Sequence, residues 1–274
     1  MTRAYLDHNA TAPIRPEVIA KVAEVMALDG NSLSVHEEGR RAHKILEDAR
    51  EQVRALVNAP MNGVIFTSGG TESIHYALHG VMKPHNIKRF FISALEHTAV
   101  PSNAATTGAE IETIPALASG VADLGWLKER LAGYDVVRDG GFMVCLMYAN
   151  NETGVLQPVF DAAALAHEAG GLLFCDAAQA VGKVPVNFVM SGADIMSFTG
   201  HKFGGPVGVG ALVAGPNLPL DPVMRGGGHE QNRRAGTHNV ASIAGLGVAC
   251  DKAKESLARA KEIAALRDRM QKAA

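Results

Sequence analysis

Short, continuously apolar runs alternate with amphipathic stretches along most of this 274-residue chain. Runs this short and this uniformly apolar are typical of buried strands. The apolar runs are residues 64–68, 90–93, 142–148, 172–176, 195–199 and 210–215. The intervening stretches repeat apolar residues at helical spacing. The pattern therefore predicts an α/β fold with a mostly parallel sheet between two layers of helices.

Helical spacing is clearest in five stretches. They are residues 16–30, opened by Pro16 and closed by Gly30, then 36–58, 71–82, 160–169, and 241 to the end. The last of these predicts one long helix. Because it has no C-cap glycine and stops at Ala274, we expect a chain that is cut within a helix.

Composition excludes several classes of function. Hydrophobic residues make up 47% of the chain and charged ones 20%, which is typical of a soluble globular protein. A net charge of -2 offers little attraction to nucleic acid or an anionic membrane. No apolar run reaches the roughly 20 residues of a membrane span, and no signal peptide is recognisable. We therefore expect a cytoplasmic protein without nucleic-acid or membrane partners.

The three cysteines, Cys145, Cys175 and Cys250, lie far apart and form no CxxC pair. This spacing predicts neither a disulfide framework nor a metal site.

Polar groups follow five of the predicted strands, at the edge where a parallel sheet forms its binding crevice. They are Gly70 and Thr71, His97, Asn151, Asp176 with Gln179, and finally Thr199, His201 and Lys202. Each alone is a common turn residue, and Thr71 or Ser73 fits equally well as the N-cap of a capping box. Their recurrence at five strand ends predicts a functional site.

Pyridoxal phosphate requires this combination of groups. Its aldehyde needs a lysine for a Schiff base, its pyridinium nitrogen needs a carboxylate, and its phosphate needs hydrogen-bond donors. The helix that begins after Gly69 and Gly70 offers backbone N–H groups to a phosphate. A buried lysine close to a cationic cofactor tends to have a lowered pKa, which favours the free amine. The sequence therefore predicts pyridoxal phosphate as cofactor.

The spacing of residues does not match the motifs of nucleotide or zinc sites. Gly182-Lys183 lacks both the first glycine of a P-loop and the serine or threonine that follows its lysine. Residues 204–210 place their glycines in the reverse of the dinucleotide order. His75 and His79 lack the glutamate of a zinc protease, so we expect surface or packing histidines there.

Seven motifs, in order and in spacing, resemble the cysteine desulfurases of the class V aminotransferase branch, fold type I. They are YLDHNATAP, TSGGTES, EHTAV, NNETGVLQP, FCDAAQAVGKVPV, SFTGHKFGGPVGVGAL and GGGHEQNRRAGTHNV, between Tyr5 and about Gly247. The resemblance implies a mixed, seven-stranded sheet in a cofactor-binding large domain, residues 15–247. Residues 1–14 would belong to a small domain and 248–274 to a truncated linker helix, with most of the small domain missing.

The resemblance also implies a role for each site residue. Lys202 would form the Schiff base and move protons, and His97 would stack on the cofactor ring and serve as acid or base. Asp176 would pair with the pyridinium nitrogen. Gln179 and Asn151 would bond the cofactor phenolate oxygen or the substrate. The cofactor phosphate would be held by Gly70, Thr71, Thr199 and His201, and Thr237 would contact the phosphate of a second subunit in a homodimer. Asn9 and Arg234 would lie near the substrate entrance.

Members of this family convert L-cysteine to L-alanine and pass the sulfur, as a persulfide on a mobile-loop cysteine, to an iron–sulfur scaffold or another acceptor. We expect this chain to lack that loop and the arginine that grips the substrate carboxylate, and so to be incomplete for turnover. Two local departures from the family are Gln231-Asn232 in place of Arg-Gly and Ser32-Leu33 in place of Pro-Ser.

Two alternatives remain. One is selenocysteine lyase or other class V aminotransferase or lyase chemistry on the same fold. The other is a non-enzymatic, truncated remnant that acts as an interaction partner.

Overall fold

A mixed, seven-stranded sheet lies between helices in the computed structural model, which describes residues 4–273. The strands are β1 (Val64–Thr67), β2 (Ile87–Ser93), β3 (Glu110–Ile114), β4 (Gly141–Cys145), β5 (Leu172–Asp176), β6 (Ile195–Thr199) and β7 (Gly210–Ala214). Their order across the sheet is β1-β7-β6-β5-β4-β2-β3. Residues 1–3 and Ala274, the outer ends of the predicted N-terminal segment and last helix, lie outside the described residues.

All strands except β7 run in the same direction within the described sheet. Strands β2 to β6 pair in parallel, and β7 pairs antiparallel with both β1 and β6. Because β7 is reversed relative to both neighbours, β1 runs the same way as β6. The carboxyl ends of six strands therefore lie at one edge of the sheet.

Helices cover both faces of the sheet. They are α1 (Pro16–Met26), α2 (Glu37–Val57), α3 (Gly70–Gly80), α4 (Ala99–Ala104), α5 (Leu124–Leu131), α6 (Val136–Asp139), α7 (Val159–Glu168), α8 (Phe188–Ser191), α9 (Val240–Leu257) and α10 (Ala260–Ala273). Short 3-10 turns occur at Gly200–Lys202 and His229–Asn232. Among residues 4–273, no helix combines the length and the apolar character that a membrane span requires.

Side chains alternate between two cores, one on each face. In β2, Phe91 packs into the core that contains residues of α1, α2, α5, α7 and α9, whereas Phe90 packs into the core with α3 and α4. In β4, Val144 packs into the first of these cores and Met143 into the second. Since both faces are buried there, the central strands are largely apolar, as the sequence pattern predicted.

The edge strand β3 was not predicted as a strand. Its sequence, EIETI, is mostly polar, and only Ile114 is buried. Glu110 lies on the exposed side and pairs with Arg89 of β2. The continuously apolar runs marked only the strands that are buried on both faces.

The prediction of one long C-terminal helix is wrong. Two helices, α9 and α10, meet at Ala258 and Arg259, where the Arg259 N–H donates to Ser256 O instead of continuing the α-helical ladder. The surrounding sequence, ESLARAKE, contains neither proline nor glycine, so no local signal marks the break. The division into residues 1–14, 15–247 and 248–274 stays a prediction, and its second boundary falls inside α9.

Helix α9 packs closely against α1 and α2 at two glycines. A Cβ atom added at Gly247 would lie 2.9 Å from the Ala49 Cα atom, and one at Gly245 would lie 2.6 Å from a Val22 methyl group. Contacts this short leave no room for a side chain. The glycines therefore set the distance between α9 and its two neighbours.

We expect Gly247→Val to destabilise the fold by about 1–3 kcal/mol through overpacking, measured as a lower urea midpoint at unchanged slope. Valine has a higher helix propensity than glycine, so a loss at Gly247 reports on packing. Lys254→Val, on the exposed side of the same helix, is the control for a valine that meets no close neighbour and should cost about 0.7 kcal/mol or less. Equal losses in the two variants would contradict close packing at Gly247.

Candidate active site

A cavity of about 250 Å³ opens at the carboxyl edge of the sheet. Its walls include Gly70, Thr71, His97, Asn151, Asp176, Gln179, Thr199, His201 and Lys202. These residues come from the ends of β1, β2, β4, β5 and β6, which explains why residues distant in sequence meet there. Asn9, Arg234 and Thr237 are not part of the wall of this cavity, although the Asn9 backbone contacts Lys202.

Lys202 lies in the 3-10 turn that follows β6. Its Nζ donates to the carbonyl oxygens of Asn9 (2.6 Å) and Ala10 (3.0 Å). Burial lowers the pKa of Lys202, against the opposing influence of the nearby carboxylates of Asp176 and Asp7. More of this amine is therefore uncharged near neutral pH than of a lysine in water.

Asp176 is the last residue of β5, and only 7% of it is exposed. Its Oδ1 accepts from the Ala178 N–H at 2.9 Å. Burial raises the pKa of Asp176, while that N–H and the nearby His97 and Lys202 act in the opposite direction. A carboxylate in such a place is stabilised by a cationic ligand.

The N-terminus of α3 forms one end of the cavity. The helix begins at Gly70, its N-cap is Gly69, and no side chain caps it. The capping box with Thr71 or Ser73 as N-cap is therefore wrong; the Ser73 hydroxyl instead bonds the Thr67 hydroxyl at 2.7 Å. Uncapped N–H groups at a helix start favour an anion.

Thr199 and His201 line the same cavity from the end of β6. The Thr199 hydroxyl donates to Val209 O at 3.1 Å, and His201 Nδ1 is 3.2 Å from the Thr11 hydroxyl. Burial and nearby Lys202 lower the pKa of His201, which favours its neutral form.

The two adjacent asparagines after β4 have different functions. Asn150 is buried, and its Oδ1 accepts from the backbone N–H groups of Glu152 and Thr153, so it stabilises the turn. Asn151 lines the cavity, and its carbonyl accepts from Asn9 Nδ2 at 2.9 Å. Only the second asparagine can contact a ligand in the cavity.

His97 is exposed at the cavity wall, and its Nδ1 accepts from the Ala99 N–H at 3.2 Å. This bond orients the ring and leaves Nε2 as the nitrogen that can contact a ligand.

Arg234 and Thr237 lie on a segment that joins the site from the loop before α9. Arg234 forms a two-point ion pair with Glu72 of α3, with Nε–Oε1 at 2.7 Å and an Nη2–Oε2 contact at 3.1 Å. Glu72 also accepts from the Ser68 N–H. Arg234 is thus tied to the helix whose N-terminus forms the anion site, and Thr237 is exposed to solvent.

Buried Glu230 anchors this segment. It accepts two hydrogen bonds from Arg50, at 2.8 and 3.0 Å, one from the Phe66 N–H at 3.0 Å, and pairs with His238 at 2.7 Å. The other nitrogen of His238 bonds Ser32 at 2.9 Å. Both departures from the family motifs therefore lie at this cluster, since Ser32 is part of it and Gln231-Asn232 follow Glu230.

The backbone at Glu230, Gln231 and Asn232 is left-handed, with φ of 48°, 58° and 65°. Asparagine tolerates this region better than most residues, but glutamate and glutamine do not. Conformations like this persist only when surrounding contacts hold them. The ion pairs of Glu230 supply those contacts.

Two ionisable groups of the site, Glu96 and Lys183, were not predicted from the sequence. Glu96 Oε1 accepts from the Met147 N–H, whereas its Oε2 has no hydrogen-bond partner among the described residues. Burial, with Asp176 nearby, raises the pKa of Glu96 well above its usual value. The available signals were the position of Glu96 before His97 and that of Lys183 four residues after Gln179.

The sequence profile described as "Aminotransferase class-V" matches residues 4–274. The IscS-like cysteine desulfurase of Mycobacterium tuberculosis is 38% identical over 97% of this chain and 70% of its own length. A cysteine desulfurase of Gluconacetobacter diazotrophicus is 37% identical over 99% of this chain and 68% of its own length. This chain therefore spans about seven-tenths of the length of these relatives.

Solved structures share the fold. A NifS-like protein from Rickettsia africae superposes with a TM-score of 0.89 at 30% identity, covering 99% of this chain and 76% of that one. Another NifS-like protein superposes with a TM-score of 0.92 at 32% identity, covering 99% and 75%. The predicted fold class is confirmed.

We expect Glu230→Gln to lower stability by about 3 kcal/mol at pH 7, because it leaves the half-buried Arg50 with only the more exposed carboxylate of Glu47 as counter-charge. Burial alone would raise the pKa of Glu230, but His238 and Arg50 bring it down to about 2. Its stabilisation is therefore complete above about pH 4.3 and is lost as the pH falls toward 2. Urea midpoints at pH 7 and pH 3 should show the two proteins converging at the lower pH.

Glu47→Gln is the matched control, because Glu47 is more exposed and also contacts Arg50, at 3.1 Å. Its cost should be about 1 kcal/mol or less. Equal costs at positions 47 and 230, or a constant difference between wild type and Glu230→Gln across pH, would contradict the anchoring role of Glu230.

Proposed function

The chain belongs to the aminotransferase class-V family of pyridoxal phosphate-dependent enzymes, and from this we propose that it is a cysteine desulfurase, with L-cysteine as its substrate. One observation carries the proposal. The Lys202 amine, the Asp176 carboxylate and the uncapped start of α3 surround a single cavity. The similarity of this chain to cysteine desulfurases of two bacteria supports the choice of substrate.

The donor and acceptor groups of this cavity fit the cofactor. The N–H groups of Gly70 and Thr71 would hold the phosphate, Asp176 would accept from the protonated ring nitrogen, and Lys202 would attach to the aldehyde. When bound, the cofactor supplies an electron sink for the carbon atoms of the substrate.

The protein's own groups would position the substrate and move protons. Lys202 has the lowered pKa that a base near neutral pH requires, so its Nζ can take a proton from the substrate Cα and return it. His97 presents Nε2 on the same cavity and can exchange a proton with the substrate. The Asn9 side chain, bonded to Asn151, places the N-terminal segment beside the cavity.

The acceptor of the sulfur is a thiol other than the three in this sequence. Cys145, Cys175 and Cys250 are all free and buried. Burial raises the pKa of each above its usual value. A thiol must form a thiolate to attack sulfur, and none of these can readily do so. We therefore infer that an iron–sulfur scaffold or another sulfur-acceptor protein receives the sulfur, and that these 274 residues alone do not complete its transfer.

A homodimer is also part of the proposal. Thr237 is exposed on the segment that Glu230 anchors and Arg234 ties to α3. In that position it is available to contact the phosphate in a second copy of the chain.

We expect purified wild type mixed with pyridoxal phosphate to give a visible absorbance band that Lys202→Ala lacks and that Lys128→Ala, at an exposed site, retains. The band should shift on addition of L-cysteine. Because the pKa of Lys202 is lowered, band formation should reach half of its maximum rate below the usual pH of about 10.4.

With an added thiol reductant as sulfur acceptor, alanine formation should fall about 10²-fold or more in Lys202→Ala. A band that survives in Lys202→Ala would contradict the assignment of this lysine. A band with no response to L-cysteine, together with turnover of L-selenocysteine, would favour selenocysteine lyase instead. Binding without turnover of either amino acid would favour the non-enzymatic alternative.

A further inference from the structure

A second lysine contacts the site from behind its wall. The Lys183 ammonium donates to Gln179 Oε1 and to Asn9 Oδ1, the latter at 2.9 Å. Gln179 lines the cavity, whereas Lys183 does not. Lys183 therefore contacts Gln179 and Asn9 without lining the cavity itself.

These contacts fix the orientation of the Gln179 amide. An ammonium has only donors, so it can bind the oxygen end of an amide but not the NH₂ end. With Oε1 held by Lys183, Nε2 must point the other way, and it donates to Asn9 O at 3.0 Å. Lys202 Nζ donates to the same oxygen at 2.6 Å. Gln179 Nε2 and Lys202 Nζ thus both donate to Asn9 O, and Gln179 has this orientation because Lys183 holds its oxygen.

The backbone places Lys183 securely. Its N–H donates to Ala180 O at 3.0 Å, which closes the turn after Gln179. The preceding residue, Gly182, has a φ of 79°, and a Cβ atom there would lie 2.6 Å from the Phe203 Cβ atom. Phe203 is the neighbour of Lys202 in the chain. Only glycine fits this contact, so the turn with Lys183 is packed directly against the turn with Lys202.

We propose that Lys183 is a positioning residue, which fixes the Gln179 amide with its oxygen toward Lys183 and its NH₂ group toward Asn9 O, beside the Lys202 amine at the cavity. Lys183 is suited to this because it remains largely charged at neutral pH, although burial and the nearby Lys202 lower its pKa to about 8. A bound cofactor or substrate with an acceptor oxygen would then meet a donor already in place. The inference rests on the proposed site.

The test is a double-mutant cycle between Lys183→Met and Gln179→Ala, with the dissociation constant for pyridoxal phosphate read from absorbance titrations at pH 7. We expect each single variant to bind the cofactor roughly tenfold more weakly, because a hydrogen bond to a charged group is lost or its direction is no longer fixed. We expect the double variant to bind no more weakly than Gln179→Ala alone, because Lys183 acts through Gln179.

Lys183→Arg should restore most of the affinity, since a guanidinium also has only donors. Lys128→Met, at an exposed position away from the cavity, controls for loss of a positive charge. Urea midpoints of the cofactor-free proteins separate folding from binding. If Lys183→Met unfolds, Lys183→Gln takes its place in the cycle with Gln179→Ala, because its amide can donate or accept and so does not fix the Gln179 amide.

Independent, multiplying effects of the two substitutions would overturn the proposal, as would wild-type affinity in Lys183→Met. The wild-type titration separates this inference from the proposed function. If wild type shows no Lys202-dependent band, the proposed function fails. If wild type binds and the Lys183 variants bind equally well, only the role of Lys183 fails.

Discussion

Parallel pairing of β2 to β6 leaves both faces of the sheet covered by helices, so the ionisable groups of the cavity lie where these strands end. Asp176 illustrates this constraint, because it is the final residue of an otherwise apolar strand and turns its carboxylate into the cavity. Lys202 reaches the same cavity from the end of β6. Because β7 is antiparallel to both β6 and β1, β1 runs parallel to β6, and its carboxyl end, where α3 begins, lies at the same edge of the sheet.

Burial shifts the pKa values of the amines and of the carboxyls in the site in opposite directions. It lowers the pKa values of Lys202 and Lys183 and raises those of Asp176 and Glu96, so the neutral forms gain in every case. A ligand with a cationic ring and an anionic phosphate would compensate these costs at Asp176 and at the start of α3. In the proposed function, the burial that favours the uncharged amine of Lys202 would also favour binding of such a ligand.

Sequence patterns were informative where a local rule governs the structure. Apolar runs marked the buried strands, and residues at their ends, such as Asp176 and Lys202, follow from the direction of parallel strands. The contact between Lys183 and Asn9 joins residues 174 positions apart, and no local pattern encodes it. The raised pKa of Glu96 comes from burial, to which several elements contribute, and no local pattern encodes it. The break between α9 and α10 lacks the proline or glycine that would have marked it.

The most direct measurement is borohydride reduction of the protein with pyridoxal phosphate, followed by peptide mapping by mass spectrometry. Reduction fixes the cofactor on whichever amine holds it, and the two candidate amines, Lys202 and Lys183, both contact Asn9. We expect the pyridoxyl group on Lys202 alone. A group found on Lys183, spread over surface lysines, or absent would contradict the assignment of this cavity as the cofactor site.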